Sequence, residues 1–266
     1  MQVAIAAEPG SPSRANEDST ATGPDIFVLL DGATARTETG CIHGVSWFAG
    51  HLAEGIKDHA PLGPAGALAA AISRTADLHR DTCDLSHPGT PSAAVAIVQV
   101  TGRTMRYLVL GDVTVVIDSA DGIQVVSDQR VSQTAAAERA AADAMHASDP
   151  EKAAALVRMK HAELAARNVP GGFWVATTDP AAAEHALTGE IPVPEVRQVA
   201  VLSDGAARAV EFGLYDWPDV LDLLRDAGPD ALIRQVRGAE ASDPDATRWP
   251  RNKISDDATA AYVTAL

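Results

Sequence analysis

Residues 93–126 read AAVAIVQVTGRTMRYLVLGDVTVVIDSADGIQVV. Four apolar runs stand out: Ala93 to Val100, Met105 to Leu110, Val113 to Ile117 and Ile123 to Val126. Turns at Thr101-Gly102-Arg103, Gly111-Asp112 and Asp121-Gly122 fall between them. Short apolar, β-branched runs split by glycine and Asp-Gly are the signature of strands joined by turns. Strands joined this closely are expected to pair antiparallel, because a parallel crossover needs a dozen or more residues.

Upstream, Ile26 to Leu30 is a further strand, ending in Asp31-Gly32, and two helices are expected over about His43 to His59 and Pro64 to Arg80. In the first of these, Trp47, Leu52 and Ile56 share a face. Downstream, the alanine-rich stretch Thr134 to Ala147 reads as a plain helix. Asp149-Pro150-Glu151 is a helix start, an N-cap aspartate with proline at the first helical position, and Asn168-Val169-Pro170-Gly171 is its stop. Phe173 to Thr177, Val196 to Leu202 and Thr259 to Leu266 are strand candidates. Trp217 to Ala227 and Asp230 to Val236 are helices, and Gly238 to Arg251 reads as a loop. Runs of close-packed strands with helices in pairs predict an α+β layered domain. No stretch reads as a linker, so residues 1–266 are expected to form one domain.

The chain has 266 residues, 46% of them hydrophobic, enough for a sizeable core. Its 21 basic and 36 acidic residues leave a net charge of −15, which repels nucleic-acid phosphates and anionic membranes and favours cations or neutral partners. Cys41 and Cys83 stand far apart without C-x-x-C spacing, which argues against a disulfide framework or a thiolate zinc site and for a reducing cytoplasm. Met1 to Ile5 is too short for a secretory segment, and Ala65 to Ile72 is too short to span a membrane. The chain reads as soluble and cytoplasmic. No glycine-rich phosphate loop of the ATP or dinucleotide type occurs.

The informative residues are acidic and sit at strand boundaries: Glu17-Asp18, Asp31, Asp112, Asp204 and Asp256-Asp257. Any single Asp-Gly is an ordinary turn. Five such stations at the ends of buried strands would cost several kcal/mol per uncompensated charge unless cations compensate them. Oxygen ligands alone favour Mg²⁺ or Mn²⁺ over zinc, and the Gly32 carbonyl is free to join them. Two such ions about 3.5–4 Å apart support metal-assisted hydrolysis of a phosphoryl group.

With these residues on the page, the chain resembles the bacterial branch of the PPM-type, or type 2C, metal-dependent serine/threonine protein phosphatases. The ordered motifs are Arg14-Ala15-Asn16-Glu17-Asp18-Ser19, Phe27-Val28-Leu29-Leu30-Asp31-Gly32, Gly89-Thr90-Pro91-Ser92-Ala93, Leu110-Gly111-Asp112, Leu202-Ser203-Asp204-Gly205 and Asp256-Asp257-Ala258-Thr259. The resemblance implies a four-layer α-β-β-α sandwich, two antiparallel sheets flanked by helix pairs, with a two-metal site at one end. It implies that Asp31 bridges two Mn²⁺ or Mg²⁺ ions, that Asp204 and Asp256 complete one, and that Glu17 with the Gly32 carbonyl holds the other. Asp18 would orient metal-bound water, Arg14 would bind phosphate, and Asp112 with Asp204 would serve a weaker third ion. A metal-bridged hydroxide would attack phosphoserine or phosphothreonine in line, without a phosphoenzyme. The implied partners are a phosphorylated protein substrate and an opposing Ser/Thr kinase, and the chain would act as a monomer. The segment of about 129–170 takes the place of the family's variable flap.

The sequence departs from the family pattern at Ala33-Thr34-Ala35, where glycines are usual and the proton-donating histidine of eukaryotic members is missing. Arg14 stands one residue closer to the acidic pair than in bacterial relatives, Val113 replaces a serine, and Asp257 replaces an asparagine. Two alternatives follow: a catalytically weak or inactive regulatory module of the same fold, and a phosphatase of small metabolites. His43, His51 and His59 recur every eight residues, about 12 Å along a helix, too far apart to share an ion. Trp174 and Trp249 are expected to pack in the core or a lid.

Overall fold

A computed structural model describes residues 1–146 and 149–266. In chain order the strands are β1 (Gln2–Glu8), β2 (Ser19–Thr22), β3 (Ile26–Gly32), β4 (Ala93–Thr101), β5 (Thr104–Leu110), β6 (Thr114–Ser119), β7 (Gly122–Val126), β8 (Leu187–Pro192), β9 (Val196–Leu202) and β10 (Ala258–Thr264). The helices are α1 (Val45–Asp58), α2 (Gly63–His79), α3 (Arg130–Gln133), α4 (Ala136–Asp143), α5 (Lys152–Ala166), α6 (Asp204–Glu211), α7 (Trp217–Ala227) and α8 (Pro229–Ser242).

The strands form two five-stranded sheets, β1-β10-β9-β6-β7 and β2-β3-β4-β5-β8, with antiparallel neighbours throughout. Alternation along β3 shows why its sequence is apolar without interruption. Phe27 and Leu29 point into the core between the sheets, beside Val98, Val109, Val115, Ile117, Val199 and Val201. Val28 and Leu30 point the other way, onto Phe48, Leu52 and Ile56 of α1 and Leu68 and Ile72 of α2. The β1-β10-β9-β6-β7 sheet is covered by α6, α7 and α8, where Leu221, Leu224, Leu232 and Val236 pack on Val116, Ala200, Leu202 and Ala260. Burying both faces of both sheets gives the α-β-β-α order. No helix among the described residues is long and apolar enough to cross a membrane.

Residues 93–126 supply both sheets. β4 pairs with β5, and β6 pairs with β7, but β5 and β6 lie in different sheets. The expectation that all four pair in succession is therefore corrected at Gly111-Asp112-Val113, where the chain crosses between layers. Gly111 has φ 86°, and a Cβ there would lie 2.7 Å from that of Ala94, so only glycine makes this tight crossing. Asp112 is carried on it.

Four local expectations also change. Phe173 to Thr177 is not a strand and makes only isolated bridges, Ala93 with Ala176 and Arg167 with Phe173. Asn168, at φ 53°, is the cause: its side chain accepts from Val175 N–H at 2.9 Å and donates to Val175 C=O at 3.0 Å, taking the groups a ladder would use. Asp149 accepts from Glu151 N–H at 2.8 Å in a local turn, and the helix starts at Lys152. α8 continues to Ser242, through Gly238, into the stretch expected to be loop. The Thr134 to Ala147 helix shortens to α4, since Ala135 at φ 53° interrupts it, and Ala147 lies outside the described residues.

The central layer makes a direct prediction. Phe27 is fully buried between the sheets, so Phe27→Ala should lower unfolding stability by about 3–5 kcal/mol, read as a fall in urea midpoint at unchanged slope.

Candidate metal centre

The sheet registers bring the acidic stations to one end of the sandwich. The C-terminal end of β3 and the N-terminal end of β4 coincide, with Gly32 opposite Ala93, and Leu110 at the end of β5 stands opposite Val95. In the other sheet the end of β9 meets the starts of β6 and β10, Leu202 facing Thr114 and Ala260. Asp31, Asp112, Asp204 and Asp256, with Gly32, thereby line one cavity of about 310 Å³. The two sheets are stitched there. Asp204 N–H donates to Asp31 Oδ2 at 3.0 Å. Within one sheet, Ser203 N–H donates to Thr259 C=O at 2.9 Å, and Thr259 N–H donates to Ser203 Oγ at 2.9 Å. Gly32 and Gly205 are required by close approach, since a Cβ would come within 2.5 Å of Glu17 C=O and 2.0 Å of Asp257 C=O respectively.

Negative charge is in excess. Burial, then the charges of Asp204, Asp18, Asp112 and Asp256, raises the Asp31 carboxyl well above its ordinary range. Burial and Asp204 push Asp112 up to about 7. Burial and Asp256 raise Asp204. Asp18 is pushed up to about 7 by burial first and by the charge of Asp204, against the lowering effect of the Thr259 and Ser203 hydroxyls, and both its oxygens are buried without a hydrogen-bond partner. Cations reach one carboxylate: Lys253 pairs with Asp256 Oδ1, and Arg208 lies 3.4 Å from its Oδ2. Among the described residues no three carboxylates bring ligand oxygens within 4.8 Å of one another, so the anions stand spread around the cavity. An all-oxygen donor set with an orphaned buried carboxylate fits a hard divalent cation.

Glu17 and Arg14 line an adjoining cavity of about 650 Å³, which shares Thr34, Lys253 and Asp256 with the first. Thr34 Oγ1 donates to Glu17 Oε2, so the residue that departs from the family pattern positions a ligand candidate. Asp257 accepts from Gly10 N–H at 2.8 Å and Glu17 N–H at 2.7 Å, with one oxygen each, and so clamps the 10–17 loop to the start of β10. Arg14 is exposed on the adjoining cavity, whereas Arg36, which the sequence did not single out, lines the acidic one. Arg36 faces Asp256, Glu163 and Glu17. Its only sequence signal is a position five residues beyond Asp31. Arg139, Lys160, Glu163 and Arg167, all within 129–170, form a further wall. Arg167 anchors it by donating to Thr90 C=O at 2.8 Å and Pro88 C=O at 2.6 Å.

The histidines of α1 do not meet. His43 and His51 stack on Trp47 at 4.2 and 4.1 Å, and His59 Nδ1 bonds Gly55 C=O at 2.8 Å. Trp174 stacks on His185 and Trp249 on Phe212. Cys41 and Cys83 are free cysteines, as their spacing suggests, but the fold places their sulfurs 2.8 Å apart.

A family model described as protein phosphatase 2C matches residues 13–232. No curated protein matches the chain. Among solved structures, the serine/threonine phosphatase Stp1 from Staphylococcus aureus is 12% identical, with a TM-score of 0.59, covering 100% of this chain and 95% of that one. The PPM Ser-Thr phosphatase MsPP from Mycobacterium smegmatis, in complex with cacodylate, is 15% identical with a TM-score of 0.57, covering 98% and 97%. The catalytic domain of the serine/threonine phosphatase PstP, in complex with two manganese ions, is 12% identical with a TM-score of 0.56, covering 98% and 96%. At these identities the likeness is one of fold.

The raised carboxyls set the pH dependence. Asp18 and Asp112 hold protons in the folded chain from the ordinary value of 3.8 up to about 7, where the unfolded chain has lost them. Unfolding free energy therefore falls as pH rises through that window. Without divalent metal, the melting midpoint should drop from pH 4 to 7, and Asp18→Asn should flatten the drop, as measured by calorimetry.

Proposed function

The chain belongs to the protein phosphatase 2C family, and from that premise we propose that it hydrolyses phosphoserine and phosphothreonine esters in proteins, using two Mn²⁺ or Mg²⁺ ions. The observation that carries the reading is Asp18: a buried carboxylate with no partner, beside Asp31 and Asp204, needs a cation to be stable as an anion. In the proposal Asp31, Asp204 and Asp256 would hold one ion, and Glu17 and the Gly32 carbonyl, with Asp31, would hold the other. Asp112 with Asp204 offers a weaker third place. The bound ions would supply charge neutralisation on the phosphoryl oxygens and a lowered pKa for water.

The chain's own residues do the remainder. Asp18 accepts a hydrogen bond from the attacking water and orients it for in-line approach. Lys253, which pairs with Asp256 at the cavity edge, would face the phosphate if Asp256 were to hold an ion. Arg36, at the acidic cavity, is better placed than Arg14 to neutralise equatorial oxygens. No histidine lines the cavity, so the leaving alkoxide takes its proton from water. The 129–170 wall, where Arg139 and Lys160 pair with Glu163 and Arg167 holds the Thr90 and Pro88 carbonyls, borders the opening across which a phosphorylated peptide would lie. Such an enzyme would oppose a Ser/Thr kinase.

Hydrolysis of an aryl phosphate and of phosphopeptides should need added Mn²⁺ and stop with chelator. Asp31→Asn and Asp204→Asn should each lower kcat by more than about 100-fold, since even loss of a supporting partner costs 10–100-fold. Turnover surviving both substitutions would reject the reading, and cleavage of sugar or nucleotide phosphates alone would move it to small metabolites. Arg36→Ala should lower kcat/KM about 10–100-fold, the worth of a charge-assisted hydrogen bond, and Arg14→Ala less.

A further inference from the structure

Outside the acidic cavity, the described residues contain one compact set of soft metal donors. Cys41, His79 and Cys83 bring their ligand atoms within 4.8 Å of one another. His79 Nδ1 lies 3.4 Å from Cys41 Sγ, and the two sulfurs are 2.8 Å apart. None of the three lines the acidic cavity.

Two segments build the set. His79 closes α2, almost fully buried, and Cys83 follows four residues later in a turn whose Thr82 and Cys83 N–H groups donate to His79 C=O at 3.1 and 2.9 Å. The turn folds the Cys83 sulfur back beside the imidazole, in the His-x-x-x-Cys spacing that suits one arm of a tetrahedral zinc site. Cys41 comes from the loop between β3 and α1, between Gly40 at φ 65° and Gly44 at φ 81°. Asp84 N–H donates to Gly40 C=O at 2.8 Å and ties that loop to the turn.

Against the opposing effect of burial, the Cys41 contact and backbone N–H groups lower the Cys83 thiol, whereas burial and the Cys83 contact raise that of Cys41. Backbone N–H groups of His43 and Gly44 face the Cys41 sulfur, and those of Ile42 and His43 face the Cys83 sulfur. Such donors stabilise negative sulfur as they do other anions. Burial favours the neutral form of His79, which is the form that ligates. Both cysteines remain half-exposed, which leaves an entry path. His43 stands at the rim, its ring 6.2 Å from that of His79 and its Nε2 3.2 Å from Thr82 Oγ1.

We propose that Cys41, His79 and Cys83 bind one divalent ion of the zinc class, with the fourth position open to His43 or water. Binding releases the two thiol protons to solvent and forms two S–metal bonds and one N–metal bond. Thiolate and imidazole select Zn²⁺ over the hard ions that suit the carboxylates. The ion fastens the loop between β3 and α1 to the end of α2, and with that loop Thr34, the residue that holds Glu17.

The test uses reduced protein stripped of metal and returned to excess Mg²⁺, which fills the carboxylates. Titration with Co²⁺ should give a thiolate-to-metal charge-transfer band and tetrahedral visible bands, saturating at one ion per chain and bleached by one equivalent of Zn²⁺. Cys41→Ser and Cys83→Ser should each abolish the band and the Zn²⁺-dependent rise in melting midpoint. Asp31→Asn should retain both, because oxygen ligands give no thiolate band. Absence of the band from the reduced wild-type protein overturns the proposal whatever the variants do. So does a band that survives Cys83→Ser, or a chain two hydrogens lighter whose sulfurs bind no metal after reduction.

Discussion

Like charge gathered out of water is the constraint around which this end of the molecule is arranged. Asp18, Asp31, Asp112 and Asp204 all carry carboxyls held above their ordinary range, chiefly by burial and then by one another. Each uncompensated charge costs several kcal/mol. The sandwich tolerates this because both sheets are buried on both faces, so the apolar layers hold the strand ends in place whatever happens at their tips.

Around the acidic cavity the backbone supplies the rigidity and the side chains the asymmetry. Asp257 spends both carboxylate oxygens on backbone N–H groups and positions Glu17 from behind. This accounts for an extra anion beside the site without assigning it a ligand role. Arg208 joins Asp256 to the buried Glu240, which Arg237 also pairs at 2.7 Å. That network compensates the carboxylate nearest α6 and α8.

Much of the fold was legible because its signals are local. The period of the apolar runs and the Gly and Asp-Gly turns marked β3, β4, β5, β6 and β9, and the helix pair α1 and α2, close to where they lie. Elements were missed where local signal is weak. β1 and β8 are edge strands with largely exposed residues, so neither shows a clean alternation, and α6 is eight residues long and begins on a metal-motif aspartate. Phe173 to Thr177 has strand composition, but the Asn168 side chain takes its backbone groups, an event fixed by a left-handed residue several positions away.

The acidic residues, their order and the family they belong to were set out in the primary structure alone, because aspartate and glycine at strand ends leave a pattern that needs no coordinates. Tertiary structure decided which groups share a space. It put Asp31, Asp112, Asp204 and Asp256 on one cavity, moved Arg14 to the next and brought in Arg36. It also joined Cys41 to Cys83. Sequence periodicity records which face of an element is buried, whereas the meeting of two loops depends on how whole layers stack. That information is carried by the packing of β3, α1 and α2, not by the spacing of the cysteines themselves.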